Sequence, residues 1–315
     1  MKLLLPTTYH SPNEAVRKIK GIETIIAGSN EEALEHAPHV DAAFQFASEA
    51  FVGAAPNLRW IQTLSAGINN LPFQLLIDRD ISVTNAATVY GPNMADHTLG
   101  LMLTLCRQLR IIDRHQTVHG WMKPNPVPSP GELGGQTLLI IGLGGIGMET
   151  ARRASAFGMK VIATRRHTDR PVPDFIDEMH PPEALHELLP RANWVDVCVP
   201  LIPETRDLID DQEFGLMKDG AYLICVTRGG IINNDAMVRA VDSGKLSGVG
   251  LDATLPEPLP QDHPLWGFDN VIITPHASGQ STAAFARLSD ICVDNVHRFR
   301  TGQELRNSVH LNLQY

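Results

Sequence analysis

Short apolar runs alternate with polar, helix-prone stretches through the first third of the chain. Residues 3–5, 24–27, 42–45, 58–63 and 81–85 read as strands, and 13–20 and 30–36 as helices between the first of them. From 96 to 111 apolar positions recur at helical spacing, which predicts one long connector helix. A proline-rich bend at 124–130 follows it. A second, cleaner series then begins. Residues 137–141, 160–164, 194–199, 221–227, 248–253 and 271–274 are near-continuous apolar runs, as expected of parallel strands covered on both faces. Helices are predicted at 147–157, 183–189, 213–217, 233–243 and 282–299, with Gly158 and Gly244 where C-terminal caps belong.

This pattern predicts an α/β fold of two parallel-sheet domains. The expected arrangement is a doubly wound Rossmann domain, residues 99–281, inserted into a flavodoxin-like domain made of 1–98 and 282–315. A chain of 315 residues also favours two cores over one.

Composition narrows the function. The net charge is −9, which leaves no basic footprint for nucleic acid or an anionic membrane. The apolar run that opens the chain is too short for a signal segment and Pro6 interrupts it, so a cytoplasmic location is expected. Cys106, Cys198, Cys225 and Cys292 show no metal spacing and read as small buried hydrophobes.

The strand at 137–141 leads into Gly142-Leu143-Gly144-Gly145-Ile146-Gly147, a GxGxxG arrangement between a strand and a helix. In that context Gly142 permits the tight turn, Gly144 lets backbone approach a pyrophosphate, and Gly147 lets the helix pack on the strand. The next strand ends in Arg165-Arg166, with no acid until Asp169. A carboxylate there would grip a ribose 2′-hydroxyl, whereas guanidinium groups pair with a 2′-phosphate. NADP(H) is therefore the preferred cofactor, with NAD(H) also possible.

The segments LRWIQTLSAGINNL, GLGGIG, LIPETRDLI, VTRGGIIN, GVGLDATLPEPLPQDHPLW and VIITPHAS together resemble the D-isomer-specific 2-hydroxyacid dehydrogenases, in particular glyoxylate and hydroxypyruvate reductases. The resemblance implies a catalytic trio of Arg228, Glu257 and His276. It implies that Arg228 and His276 also bind substrate, with a backbone cradle for its carboxylate at Ser65, Ala66 and Gly67. It assigns Gly145, Ile146, Thr205, Val226 and Asp252 to the cofactor, and suggests a homodimer. The expected activity is NADPH-dependent reduction of glyoxylate or hydroxypyruvate. A bulkier 2-keto acid, or a dinucleotide-sensing role like that of the superfamily's corepressors, are the alternatives. His97, His115, His119 and Trp121 read as structural or interfacial.

Overall fold

The computed structural model describes residues 1–68, 70–121, 130–169 and 171–313. Apart from Pro130, the predicted bend at 124–130 lies outside them. The chain divides into two compact units, Met1–Tyr90 with the segment from Gln280 onward, and Gly91–Gly279.

The first unit is built on strands β1 (Lys2–Pro6), β2 (Glu23–Ala27), β3 (Ala42–Phe44), β4 (Trp60–Gln62) and β5 (Ser82–Thr84). All pair in parallel, in the order β2-β1-β3-β4-β5. This is the flavodoxin-like order, in which ligands bind outside the carboxyl ends of the strands. Helices α1 (His10–Arg17), α2 (Asn30–His36), α3 (Glu49–Ala54) and α4 (Phe73–Asp78) connect them. Their alternation follows from runs such as Leu3–Leu5, whose side chains have no solvent exposure.

The second unit carries strands β6 (Thr137–Ile141), β7 (Lys160–Thr164), β8 (Glu178–His180), β9 (Trp194–Val197), β10 (Ala221–Cys225), β11 (Leu246–Leu251) and β12 (Val271–Ile273). They form one parallel sheet in the order β12-β11-β10-β9-β6-β7-β8. Strand order reverses between β6 and β9, the doubly wound arrangement with its switch point at the glycine loop. The accompanying helices are α5 (Gly91–Cys106), α6 (Leu109–Thr117), α7 (Gly145–Ala156), α8 (Leu185–Leu188), α9 (Asp211–Leu216) and α10 (Asn234–Asp242). A continuous apolar core runs under this sheet from Leu139 to Val271. Helix α11 (Thr282–Thr301) returns the chain to the first unit. There the Asn295 amide donates to Gln62 Oε1 at 2.9 Å, and its own oxygen accepts Arg306 N–H at 2.8 Å. These buried bonds fix the helix and the tail after it.

The connector differs from the sequence expectation. It begins at Gly91 and belongs whole to the second unit, so the division falls before position 98. It also breaks into α5 and α6, with Gln108 in the left-handed region at φ 55°. The cause is tertiary: Gly131 N–H takes the carbonyl of Cys106 at 2.9 Å, and Arg107 donates to Gly131 O at 2.8 Å. Strand β8 and helices α3 and α4 were not evident in the sequence, being short segments of weak period. All four cysteines are buried, as expected.

Candidate active site

Three strand ends of the second unit converge. Strand β10 leads into Val226-Thr227-Arg228, β11 into the loop holding Glu257, and β12 into Thr274-Pro275-His276. Carboxyl ends of parallel strands are where open α/β sheets place their ligands. His276 Nδ1 lies 2.7 Å from Glu257 Oε1, and its Nε2 lies 3.4 Å from Arg228 Nη1. Proton bookkeeping fixes the roles. A carboxylate only accepts and a guanidinium only donates, so Nδ1–H donates to Glu257 and Nε2 accepts from Arg228. Arg228 also donates to Thr227 O at 2.8 Å, which holds its stem. His276 and Glu257 keep 39 % and 42 % of their side-chain surface, so a substrate can reach them. An oxygen placed between Arg228 and Nε2 would feel a fixed cation and, when the ring takes up a second proton, an N–H donor at Nε2.

The loop bearing His276 is held from below. His276 adopts φ 51°, a left-handed conformation that a side-chain-bearing residue keeps only when its surroundings enforce it. Asp252, with no exposure, accepts the Thr274 hydroxyl at 2.5 Å, Ala277 N–H at 2.9 Å and Ser278 N–H at 2.8 Å. Asp252, expected from the family resemblance to serve the cofactor, is thus bonded to the loop that carries His276. A fully buried carboxylate needs donors, and here they come from the loop on either side of His276.

The glycine loop has the shape that the motif requires. Gly142 sits at φ 98°, and a Cβ there would meet the Val199 side chain at 2.7 Å. A Cβ on Gly147 would lie 2.5 Å from Gly142 O, so the helix touches the strand end backbone to backbone. At Gly144 a Cβ would meet nothing within 4 Å, which leaves open space before the first turn of α7. Gly145 and Ile146 open that helix, where N–H groups lack intrahelical acceptors and attract phosphate. These residues fit a dinucleotide pyrophosphate. Arg165 is half-buried and Arg166 exposed just past β7. Thr205 spends its hydroxyl within its own turn, donating to Pro200 O at 2.6 Å and accepting Ile202 N–H at 2.9 Å. Val226 is fully buried, which leaves only its backbone for a ligand.

In the first unit, Ser65, Ala66 and Gly67 follow β4. The carbonyls of Leu64, Ser65, Ala66 and Gly67 accept from Tyr90, Ala86, Asn85 and Ser65 Oγ respectively. None of the N–H groups of Ser65, Ala66 and Gly67 donates to another described residue. Small residues at such a turn allow the close backbone approach that an anion-binding concavity needs.

Two positioning residues escaped the sequence reading. Gly229 lets the Glu257 loop lie against Arg228's turn, and the Asn234 amide donates to Leu255 O at 2.5 Å in that same loop. The Gly229-Gly230 pair was the one visible signal for the first; nothing marked Asn234. Among the described residues, no group of three or more His, Cys, Asp or Glu side chains is arranged to hold a metal ion. No described helix is long and apolar enough to cross a membrane.

A doubly wound sheet with a glycine turn at its switch point, beside a histidine–carboxylate pair and an arginine, defines a dinucleotide-dependent oxidoreductase. Comparison with known proteins agrees. Residues 99–278 match the family model for the NAD binding domain of D-isomer specific 2-hydroxyacid dehydrogenases. A glyoxylate reductase of Thermofilum pendens is 36% identical over 251 residues, 77% of this chain and 72% of the relative. A hydroxypyruvate reductase of Blautia hydrogenotrophica is 33% identical over 254 residues, 78% of this chain and 77% of the relative. The crystal structure of a D-isomer specific 2-hydroxyacid dehydrogenase family protein from Aeromonas salmonicida superposes with a TM-score of 0.84 at 30% identity, covering 98% of this chain and 99% of that one. The chain belongs to the D-isomer-specific 2-hydroxyacid dehydrogenase family. It is an oxidoreductase that moves a hydride between a nicotinamide dinucleotide and C2 of a 2-keto or 2-hydroxy acid.

Proposed function

We propose that this enzyme reduces a small 2-keto acid, glyoxylate or hydroxypyruvate, with NADPH, and that Arg228, Glu257 and His276 are its catalytic residues. The observation that carries the reading is the Glu257–His276–Arg228 relay, with contacts of 2.7 Å and 3.4 Å. When bound, the dinucleotide supplies the hydride. Protonated His276 gives its Nε2 proton to the keto oxygen as that oxygen becomes a hydroxyl. Glu257, at Nδ1, orients the ring and stabilises the imidazolium that precedes transfer. Arg228 binds the substrate carboxylate and polarises the C2 carbonyl before charge develops on it. The backbone N–H groups of Ser65, Ala66 and Gly67, in the first unit, are a further carboxylate-binding element.

Arg165 and Arg166 at the end of β7, with no acid before Asp169, support the preference for a 2′-phosphate. The relatives named for glyoxylate and hydroxypyruvate support the substrate size. An apolar surface supports a homodimer. Helix α6 buries none of its residues, leaving Leu109 and Ile112 exposed, and Trp121 beyond it is 94% exposed.

The test is the loss of reduced-nicotinamide absorbance when purified protein meets NADPH or NADH and each of glyoxylate, hydroxypyruvate, pyruvate, phenylpyruvate and 2-ketoisocaproate. The highest kcat/KM for NADPH with one of the first two acids supports the proposal. Faster turnover of the bulky acids moves the substrate class, and no turnover despite dinucleotide binding overturns the catalytic reading.

A further inference from the structure

Two side chains outside the trio reach the loop that presents His276. Asn93 and His97 lie one helical turn apart on α5, so both project from the same helix face. The Asn93 amide donates to Ser278 O at 2.6 Å. His97 Nε2 lies 2.9 Å from Thr274 Oγ1. Their targets are the residues two before and two after His276.

The direction of the second bond follows from counting protons. Thr274 has one hydroxyl proton, and the nearest strong acceptor for it is Asp252 Oδ1 at 2.5 Å; Leu251 O stands further off at 3.2 Å. The hydroxyl oxygen is then an acceptor toward His97, so His97 carries a proton on Nε2. The chain of donors runs from imidazole to hydroxyl to carboxylate. Asp252 closes it by taking Ala277 N–H and Ser278 N–H. His97 Nε2 is also 3.7 Å from Asp252 Oδ1, so imidazole and carboxylate face each other across the hydroxyl.

The backbone at His276 needs such support, because φ 51° on a histidine relaxes unless flanking bonds forbid it. The chain enters this unit at Gly91 and leaves after Gly279, so the Asn93–Ser278 bond also ties its two ends together.

We infer that Asn93 and His97 are positioning residues for the proton donor: α5 holds Thr274 and Ser278, and thereby sets the place of the His276 ring between Glu257 and the substrate oxygen. This inference rests on the reading of His276 as proton donor.

Steady-state kinetics and dinucleotide titration of His97→Leu, His97→Gln, Thr274→Val, the His97→Leu/Thr274→Val double variant and Asn93→Ala test it, with His276→Ala as reference. His97→Leu is expected to lower kcat roughly 10- to 100-fold, since small misplacements of a reacting group carry such losses, while the KM for the keto acid and the Kd for NADPH stay within about threefold. His97→Gln, which keeps an N–H near the Nε2 position, is expected to restore most of kcat. The double variant should be no slower than the slower single one, because both break the same relay. Unchanged kcat in His97→Leu beside an inactive His276→Ala overturns the inference and leaves the proton-donor reading intact. Full turnover in His276→Ala overturns that reading itself. Additive losses without rescue by glutamine reduce His97 to a packing role and also overturn the inference. Should His97→Leu fail to fold, Asn93→Ala carries the test: lower kcat at unchanged Kd supports it, and wild-type kcat overturns it.

Discussion

A Cβ built on Gly229 would lie 2.1 Å from the carbonyl carbon and oxygen of Thr254, so the turn after Arg228 and the loop leading to Glu257 meet backbone to backbone. No side chain of any size fits between them. Gly229→Ala must push the two segments apart, separating Arg228 and Glu257 from His276. We predict a loss of turnover of about 100-fold and destabilisation on the order of 2 kcal/mol from overpacking. Rate assays and a denaturant midpoint check this. An alanine variant with wild-type kinetics would show that the loops tolerate separation.

In the proposed reaction Glu257 and His276 divide the proton chemistry between them. His276→Ala removes the donor, so turnover should fall by at least roughly 100-fold while dinucleotide binding survives. Glu257→Gln keeps a hydrogen-bond acceptor at the 2.7 Å position beside Nδ1 but removes the charge that favours imidazolium. It should therefore keep the ring's place and still lose most of kcat. A Glu257→Gln enzyme as fast as the wild type would assign Glu257 to orientation alone.

The sequence made the scaffold readable where local chemistry and fold agree. Strands β6 and β7 fall at the expected residues because TLLII and KVIAT are apolar runs bounded by polar turns. The glycine loop was legible because each of its glycines has a separate steric duty. The trio became legible only through resemblance. Glu257 sits in a proline-rich loop that periodicity reads as solvated, and nothing local says that it faces His276. The break at Gln108 and the hydrogen bonds of Asp252, Asn234, Asn93 and His97 depend on partners far away in the chain, such as Gly131 for Cys106 and Ser278 for Asn93. Contacts of that separation leave no periodic trace.

In the proposed reading Arg165 and Arg166, just past β7, meet the 2′-phosphate of the cofactor. Arg165→Asp with Arg166→Ala replaces guanidinium by carboxylate, which repels a 2′-phosphate and accepts from a 2′-hydroxyl. Kd for NADPH should rise at least about tenfold, the equivalent of one lost charge-assisted bond, while Kd for NADH holds or falls. Fluorescence titration with both dinucleotides measures the two changes side by side. Equal weakening of both would remove the pair from cofactor discrimination.

Asp196 lies in the middle of the cofactor-domain sheet, paired in register with Ile140 on one side and Ile224 on the other. Its side chain has no exposure, and burial pushes its carboxyl from 3.8 up to about 7. Oδ2 accepts the Cys198 thiol at 3.1 Å, a weak donor, and Oδ1 has no hydrogen-bond partner among the described residues. The neutral acid is thus the form the site tolerates. In the unfolded chain the same carboxyl ionises near its ordinary value, so between about pH 4 and 7 the folded state holds the extra proton. Stability from this group is therefore complete below the lower value and is lost as pH rises through 7, at roughly 1.4 kcal/mol per pH unit across the window. Asp196→Asn has no proton to lose. Its stability relative to wild type should increase from pH 5 to pH 8 and level off above, read as a growing difference in denaturant midpoint. Parallel curves for the two proteins would mean that Asp196 is already ionised inside the sheet, and that the thiol of Cys198 suffices to hold its charge.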